Sequence, residues 1–207
     1  MQRARDLPET LALPLAGGAE WWYWLGGRPA LDFVNTLRER WHRTVETLVT
    51  PSDLGLWLVR AELVDEVPRV SRGLLDEARD LREAIDGCVR AKLDGRRAPA
   101  SAVKQIDRWL PEAASLPKLS ADAGGGLVFG ERAAREPERQ AVAAIALDAA
   151  RMLGTPDQAS RIRICASETC SSRFYDRSPA GRRRWCSMDR CGNQAKARRH
   201  RARRSAA

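Results

Sequence analysis

Apolar residues recur at three- and four-residue intervals along most of the chain, the period of amphipathic helices. The clearest run, Leu74, Ala78, Leu81, Ile85, Cys88 and Val89, predicts a long helix opened by Ser71 and stopped by Gly95. Thr50-Pro51-Ser52-Asp53 reads as a second helix start, followed by the stripe Leu54, Trp57, Leu58 and Ala61. The same period at Leu31, Val34, Leu37 and Trp41 predicts a helix from Ala30, and Val103, Ile106, Trp109 and Leu110 predict one from Ser101 to Ala114. A further helix begins at Glu136-Pro137-Glu138 and runs through Val142, Ile145, Ala149 and Met152 to Gly154. Elsewhere the period changes. Trp21-Trp22-Tyr23-Trp24-Leu25 predicts a short strand ended by Gly26 and Gly27, and Leu116 to Ser120 with Leu127 to Phe129 predict a hairpin about Asp122 to Gly126.

These elements give a mainly α chain with a small β component, an α+β class. Residues 1–19, with Pro8, Pro14 and Gly17-Gly18 and no sustained period, read as a flexible leader. Residues 20–154 form a helical domain with a small sheet, and Gly154-Thr155-Pro156-Asp157 marks its boundary with a tail, 161–207. A content of 43% apolar residues in 207 suffices to bury a core, which argues against disorder of the whole chain. No apolar run approaches the roughly 20 residues that span a bilayer, and the opening residues lead only into a short, Pro-broken stretch at Leu11 to Ala16. Neither secretion nor membrane attachment is expected.

Charge divides at the same boundary. From Arg161 to Ala207 there are fourteen Lys and Arg against Glu168, Asp176 and Asp189, whereas the first 160 residues hold 22 bases and 24 acids. The excess of the chain's +9 therefore lies in the tail, which points to a polyanionic partner there and a different role for the body.

Four of the five cysteines lie in the tail as well. Cys165 and Cys170, then Cys186 and Cys191, make two C-x4-C pairs, and two readings fit them: one four-cysteine zinc site or two disulfides. The odd fifth thiol, Cys88, and the absence of a secretion signal favour zinc, one ion per chain, in a reducing compartment. Cys88 itself lies on the apolar face of its helix and is expected in the core. Arg161 to Ile164 and Arg173 to Asp176 predict two short strands, and Cys191 opens a helix from Asn193 to Arg204. Ligands beside a hairpin and at a helix start form a treble-clef-like arrangement.

The segment Trp185-Cys186-Ser187-Met188-Asp189-Arg190-Cys191-Gly192-Asn193-Gln194 and the basic run after it resemble the CGNR zinc finger. Upstream, Leu31-Asp32-Phe33-Val34-Asn35-Thr36, after a Gly-Gly-Arg turn, is similar to the opening of the ABATE domain that precedes that finger. The resemblance implies a bacterial, stress-induced transcription regulator whose finger binds DNA in the cytoplasm, at the nucleoid. Gln194 stands where the name-giving Arg would be, so a phosphate contact assigned to that Arg does not carry over, although neighbouring arginines could replace its charge.

The residues themselves also point to nucleic acid. Arg182, Arg183 and Arg184, then Lys196, Arg198, Arg199, Arg201, Arg203 and Arg204, supply cations for phosphate contacts. At about 100° per residue the second set surrounds its helix, a distribution suited to a groove and ill suited to packing. A solvated basic tail is the other reading of such a run. Phe174 and Trp185 are expected to form a small core beside the metal rather than to stack on bases.

In the body, Asp32 and Asn35 share a helical face near Trp22 and Trp24. The four could be a polar end and aromatic wall of a pocket for a small-molecule effector. The plainer reading is that Asp32 and Asn35 bond backbone where strand meets helix. His42 and His200 are the only imidazoles, and no catalytic triad, Gly-rich phosphate loop or H-E-x-x-H pattern is present, which disfavours an enzyme. An RNA-associated or ribosome-associated binder, or an enzyme localised by its finger, stays open as an alternative to a DNA-binding regulator.

Overall fold

The computed structural model describes residues 7, 8, 10–18, 20–114, 116–132 and 134–205. Its helices are α1 (Pro29–Val34), α2 (Pro51–Arg60), α3 (Arg72–Leu93), α4 (Ala100–Asp107), α5 (Pro137–Gly154), α6 (Pro156–Ala159) and α7 (Asn193–Ser205). Three antiparallel pairs lie between them: β1 (Leu37–Arg38) with β2 (Val45–Glu46), β3 (Pro117–Ala121) with β4 (Leu127–Glu131), and β5 (Ile162–Ile164) with β6 (Arg173–Tyr175).

Local chemistry explains the helix starts. Ser71 Oγ accepts from the Leu74 amide, and Thr50 and Asp53 close a capping box in which each side chain accepts from the other's backbone N–H. Asp53 is buried because its second oxygen also accepts from Gly18 N at 2.7 Å. The first turn of α1 is served from outside, since Asp148 on α5 accepts from Ala30 N at 3.0 Å and pairs with Arg28.

Helices α1, α2, α3 and α5 bury a common core in which Phe33, Leu58, Leu75, Leu81, Ile85 and Ile145 are fully inaccessible. Cys88 belongs to it, and burial raises its thiol above the ordinary range. Trp24 stacks on Trp57 with centroids 5.5 Å apart, Trp22 meets Trp24 edge-on at 6.5 Å, and Phe33 tilts against Trp57 at 5.1 Å.

Three elements differ from the periodicity. The Trp21 to Leu25 run is extended but pairs with no strand: Trp22 and Trp24 pack into the main core, whereas Trp21 packs beside Leu7, Leu15 and Val45. The helix expected through Trp41 ends at Val34 with Asn35 as C-cap, and the chain turns into β1. Glu39 and Thr44, both at positive φ, carry the tight connection to β2. The expected helix to Ala114 stops at Asp107 and resumes as a 3₁₀ turn, Leu110–Ala113, because Pro111 has no N–H to continue the ladder. Of the leader, residues 1–6, 9 and 19 lie outside the described residues. Leu7 and Leu15 are buried against Val45, with Leu11 and Trp21 beside them, so this part is packed onto β2 rather than free.

Candidate metal centre and its seat on the body

The four tail cysteines converge. Cys165 follows β5 directly, Cys170 closes the turn after it, and Cys186 precedes, while Cys191 lies within, a π-helical turn, Met188–Gly192, that runs into α7. All four sulfurs lie within 4.8 Å of one another, with Cys170 to Cys186 at 3.8 Å and Cys186 to Cys191 at 3.7 Å. Four thiolates around a tetrahedral zinc, at about 2.3 Å each, stand about 3.8 Å apart, so the two distances suit that ion. Hydrogen bonds from Cys165, Cys186 and Cys191 hold the Cys170 thiol far below its ordinary range. The thiolate is the metal ligand, so a dication bound among the four sulfurs displaces the remaining thiol protons. The four cysteines thus form the site for one zinc ion.

Around the sulfurs, short bonds fix each ligand. Cys165 N donates to Ser172 O and Ala166 N to Arg184 O, and Ser172 Oγ lies 3.3 Å from Cys170 Sγ. Phe174 is buried in the cluster, and Trp185 packs at its edge. A Cβ at Gly192 would stand 2.7 Å from the Met188 sulfur and 3.3 Å from the Trp185 ring, so the exposed Met188 side chain would have to shift to admit one.

The basic residues of the tail separate into two groups. Arg161, Arg163 and Arg177 donate to backbone carbonyls at Ser178, Gly181 and Gly27. Arg183, expected to meet nucleic acid, donates to Cys186 O at 2.8 Å and lies over the Phe174 ring, bracing a ligand loop. Of the others expected there, Arg182, Arg184, Lys196, Arg201, Arg203 and Arg204 are exposed and Arg198 is half-buried, while the Arg199 side chain lies outside the described residues. Among the described side chains of α7, Ala195 is the buried one, and most of the others stand in solvent.

The finger does not hang from the body. The outer edge of β6 is completed by body groups: Asn35 Nδ2 donates to Arg173 O at 2.9 Å, Arg173 N donates to Asn35 Oδ1 at 2.8 Å, and Tyr175 N donates to Gly26 O at 2.7 Å. One amide side chain therefore takes the place of a neighbouring strand. Behind it the Arg173 guanidinium, 1% exposed, pairs with Asp86 of α3 at 2.6 Å. Arg40 and Arg90 also approach that carboxylate, at 3.5 and 3.3 Å. Arg40 N donates to Ser171 Oγ and Trp41 Nε1 to Glu168 O, extending the seam to the loop between the first two ligands. Arg173 is thus an anchor to the body.

The four residues considered as a ligand pocket take separate positions. Trp22 and Trp24 pack in the aromatic cluster, and Asp32 Oδ1 accepts from Gly26 N at 2.7 Å. Burial pushes the Asp32 carboxyl up to about 7, against the opposing Gly26 bond. Gly26 has no room for a side chain, since a Cβ would stand 2.6 Å from the Asp32 amide. Asn35 alone of the four lines the large cleft beside the finger, with Tyr23, Arg38 and Arg190. Periodicity does not identify Asp86 and Arg38, because it assigns charged residues to solvent. The spacing of Arg82 and Asp86 on the Leu81, Ile85 and Val89 side of α3 is the signal that could have flagged a buried ionic seam.

The ABATE family model, with the description "Putative stress-induced transcription regulator", matches residues 27–156, and the CGNR zinc finger model matches residues 161–204. No curated protein matches the chain.

Proposed function

The chain belongs to the ABATE family and carries a CGNR zinc finger, and from that membership we propose a transcription regulator, not an enzyme, whose finger binds duplex DNA through α7. The observation that carries this reading is the placement of exposed Lys196, Arg201, Arg203 and Arg204 on a helix that starts at the metal centre. Such a helix offers cations on several sides, which suits a groove bordered by two phosphate chains. Arg182 and Arg184, exposed on the loop before Cys186, extend the cationic surface, and the β6 seat gives the helix a defined direction from the body. The family description agrees with the regulatory role.

The test is a titration of labelled duplex DNA with the full chain over a series of salt concentrations. Log affinity should fall linearly against log salt, by about 0.9 for each phosphate neutralised. Replacing Lys196, Arg203 and Arg204 together with Ala should reduce that slope by about three contacts, with zinc content unchanged. An unchanged affinity in this variant, or tighter binding of structured RNA than of duplex DNA at matched salt, would overturn the assignment.

A further inference from the structure

Viewed along its axis, α7 has sides of different character. Ala195 is buried, and Gln194, Ala197, Arg198 and Arg201 line the cleft between finger and body. The face turned away from both carries Asn193, Lys196, Arg203 and Arg204 among the described side chains, and all four are exposed. At about 100° per residue these four form two rows. Lys196 and Arg203 fall within about 20° of one line, whereas Asn193 and Arg204 fall within about 20° of another, about 80° further round and nearly opposite Ala195.

Three of the four are cations, which hold phosphates without regard to sequence. Asn193 differs. Its amide carries donors at one end and an acceptor at the other, and among the described residues no side chain or backbone group bonds to it. It stands two residues after Cys191 and one turn before Lys196, so the metal centre fixes the position of its backbone. A short amide on the outermost row can touch only what lies directly beneath the helix, whereas the long Lys196 and Arg203 side chains on the neighbouring row can reach a wall to one side. In a major groove about 8.5 Å deep, those two places are the base edges and a phosphate chain.

We propose that Asn193 reads adenine in the major groove, its amide bonded as a pair to N6 and N7, while Lys196 and Arg203 hold the adjacent phosphate chain. Adenine presents one donor and one acceptor side by side on that edge, and the amide offers their complement. Guanine presents two acceptors there and is not matched in this way. This role for Asn193 rests on the reading of α7 as a duplex-binding helix, and it supplies what the cations alone do not, a preference among duplexes.

The experiment is selection of bound duplexes from a randomised pool by the zinc-loaded full chain, followed by titration of the selected duplex and of copies changed at single pairs. One preferred A·T pair should emerge, and its replacement by G·C should weaken binding about tenfold. In Asn193→Ala the preference at that pair should vanish, with zinc content and salt slope unchanged. Asn193→Asp, which accepts but cannot donate, should move the preference at that pair from adenine towards cytosine, a change that loss of a merely structural bond would not produce. Lys196→Ala, by contrast, should weaken all duplexes alike and lower the salt slope by about one. If no pair is enriched, or if Asn193→Ala keeps the full preference, the role of Asn193 is overturned while duplex binding by α7 stands. An equal loss for all duplexes in Asn193→Ala, with a smaller salt slope, would overturn it by making the amide a phosphate contact. Absence of duplex binding by the native chain would overturn both this role and the DNA-binding reading.

Discussion

In the body, Trp57, Phe33, Leu58, Leu75, Leu81 and Ile85 close a core to which several helices contribute; in the finger, the cluster around the metal site is Phe174 with Cys165, Cys186 and Cys191. Leu25, Cys170 and Trp185 add partial cover. Fewer than about 40 residues rarely bury enough apolar area to fold without a metal or a disulfide. The finger meets that deficit in two ways: a metal gathers its loops, and the body completes its sheet through Asn35, Gly26 and Asp86. The body needs neither for its own helices. The two small hairpins make the same point, since β3–β4 has longer strands yet exposes Leu119, Leu127 and Phe129, whereas β5–β6 has three-residue strands and is buried at Ile162 and Phe174.

The largest way to break this contrast is Cys186→Ser. Structural zinc binding carries about 10–16 kcal/mol of folding free energy in small fingers, so the variant should lose zinc by mass spectrometry and the order of its finger. The helices α2, α3 and α5 should persist in circular dichroism.

Next in size is Asp86→Ala, which leaves the Arg173 guanidinium buried with no carboxylate. Urea denaturation should show a loss of about 3–5 kcal/mol. Asp86→Leu combined with Arg173→Met should recover most of it, because a matched apolar pair removes the buried charge. Asn35→Ala deprives the N–H and C=O of Arg173 of their partner and should cost about 1–3 kcal/mol, with zinc retained and faster amide exchange in β6.

A pH titration sharpens the seam at Gly26. Burial raises the Asp32 carboxyl from 3.8 to about 7. Between those values the folded state holds a proton that the unfolded chain has released, so this group's contribution to stability falls as pH rises through the window. Relative to Asp32→Asn, the native chain should lose stability from about pH 4 to about pH 7 and stay level above it. A flat difference across the window would contradict the burial. The smallest effect is expected on the exposed hairpin, where Phe129→Ser should change stability by no more than about 0.5 kcal/mol in the same urea assay.

Much of this organisation is legible in the residues. Thr50, Asp53 and Ser71 mark helix starts by their own capping bonds, Asp122 to Gly126 marks a turn, and the spacing of four cysteines marks the metal centre. Each of these signals is local. The β1–β2 pair was hidden because Leu37 and Trp41 continue a helical period that Asn35 in fact ends, and one turn of periodicity cannot outweigh a tertiary role for the capping residue. The seam was hidden for another reason: Arg173, Asp86 and Arg38 are buried charges whose partners lie far away along the chain, and only the position of Asp86 beside the apolar face of α3 hints at one of them. The basic tail looked uniform for the same cause, although Arg161, Arg163 and Arg183 brace carbonyls while Lys196, Arg203 and Arg204 face solvent.

The division between a self-sufficient body and a finger held by metal and seam can be tested by hydrogen exchange of the full chain before and after zinc is removed with a chelator. Amides of α3 and α5 should keep their protection, whereas those of Cys165, Ala166 and Gly192, bonded within the finger, should exchange rapidly. The Arg173 and Tyr175 amides, bonded to the body, should fall between the two. Loss of protection in α3 and α5 together with the finger would contradict the account, as would a finger that stays protected without its metal.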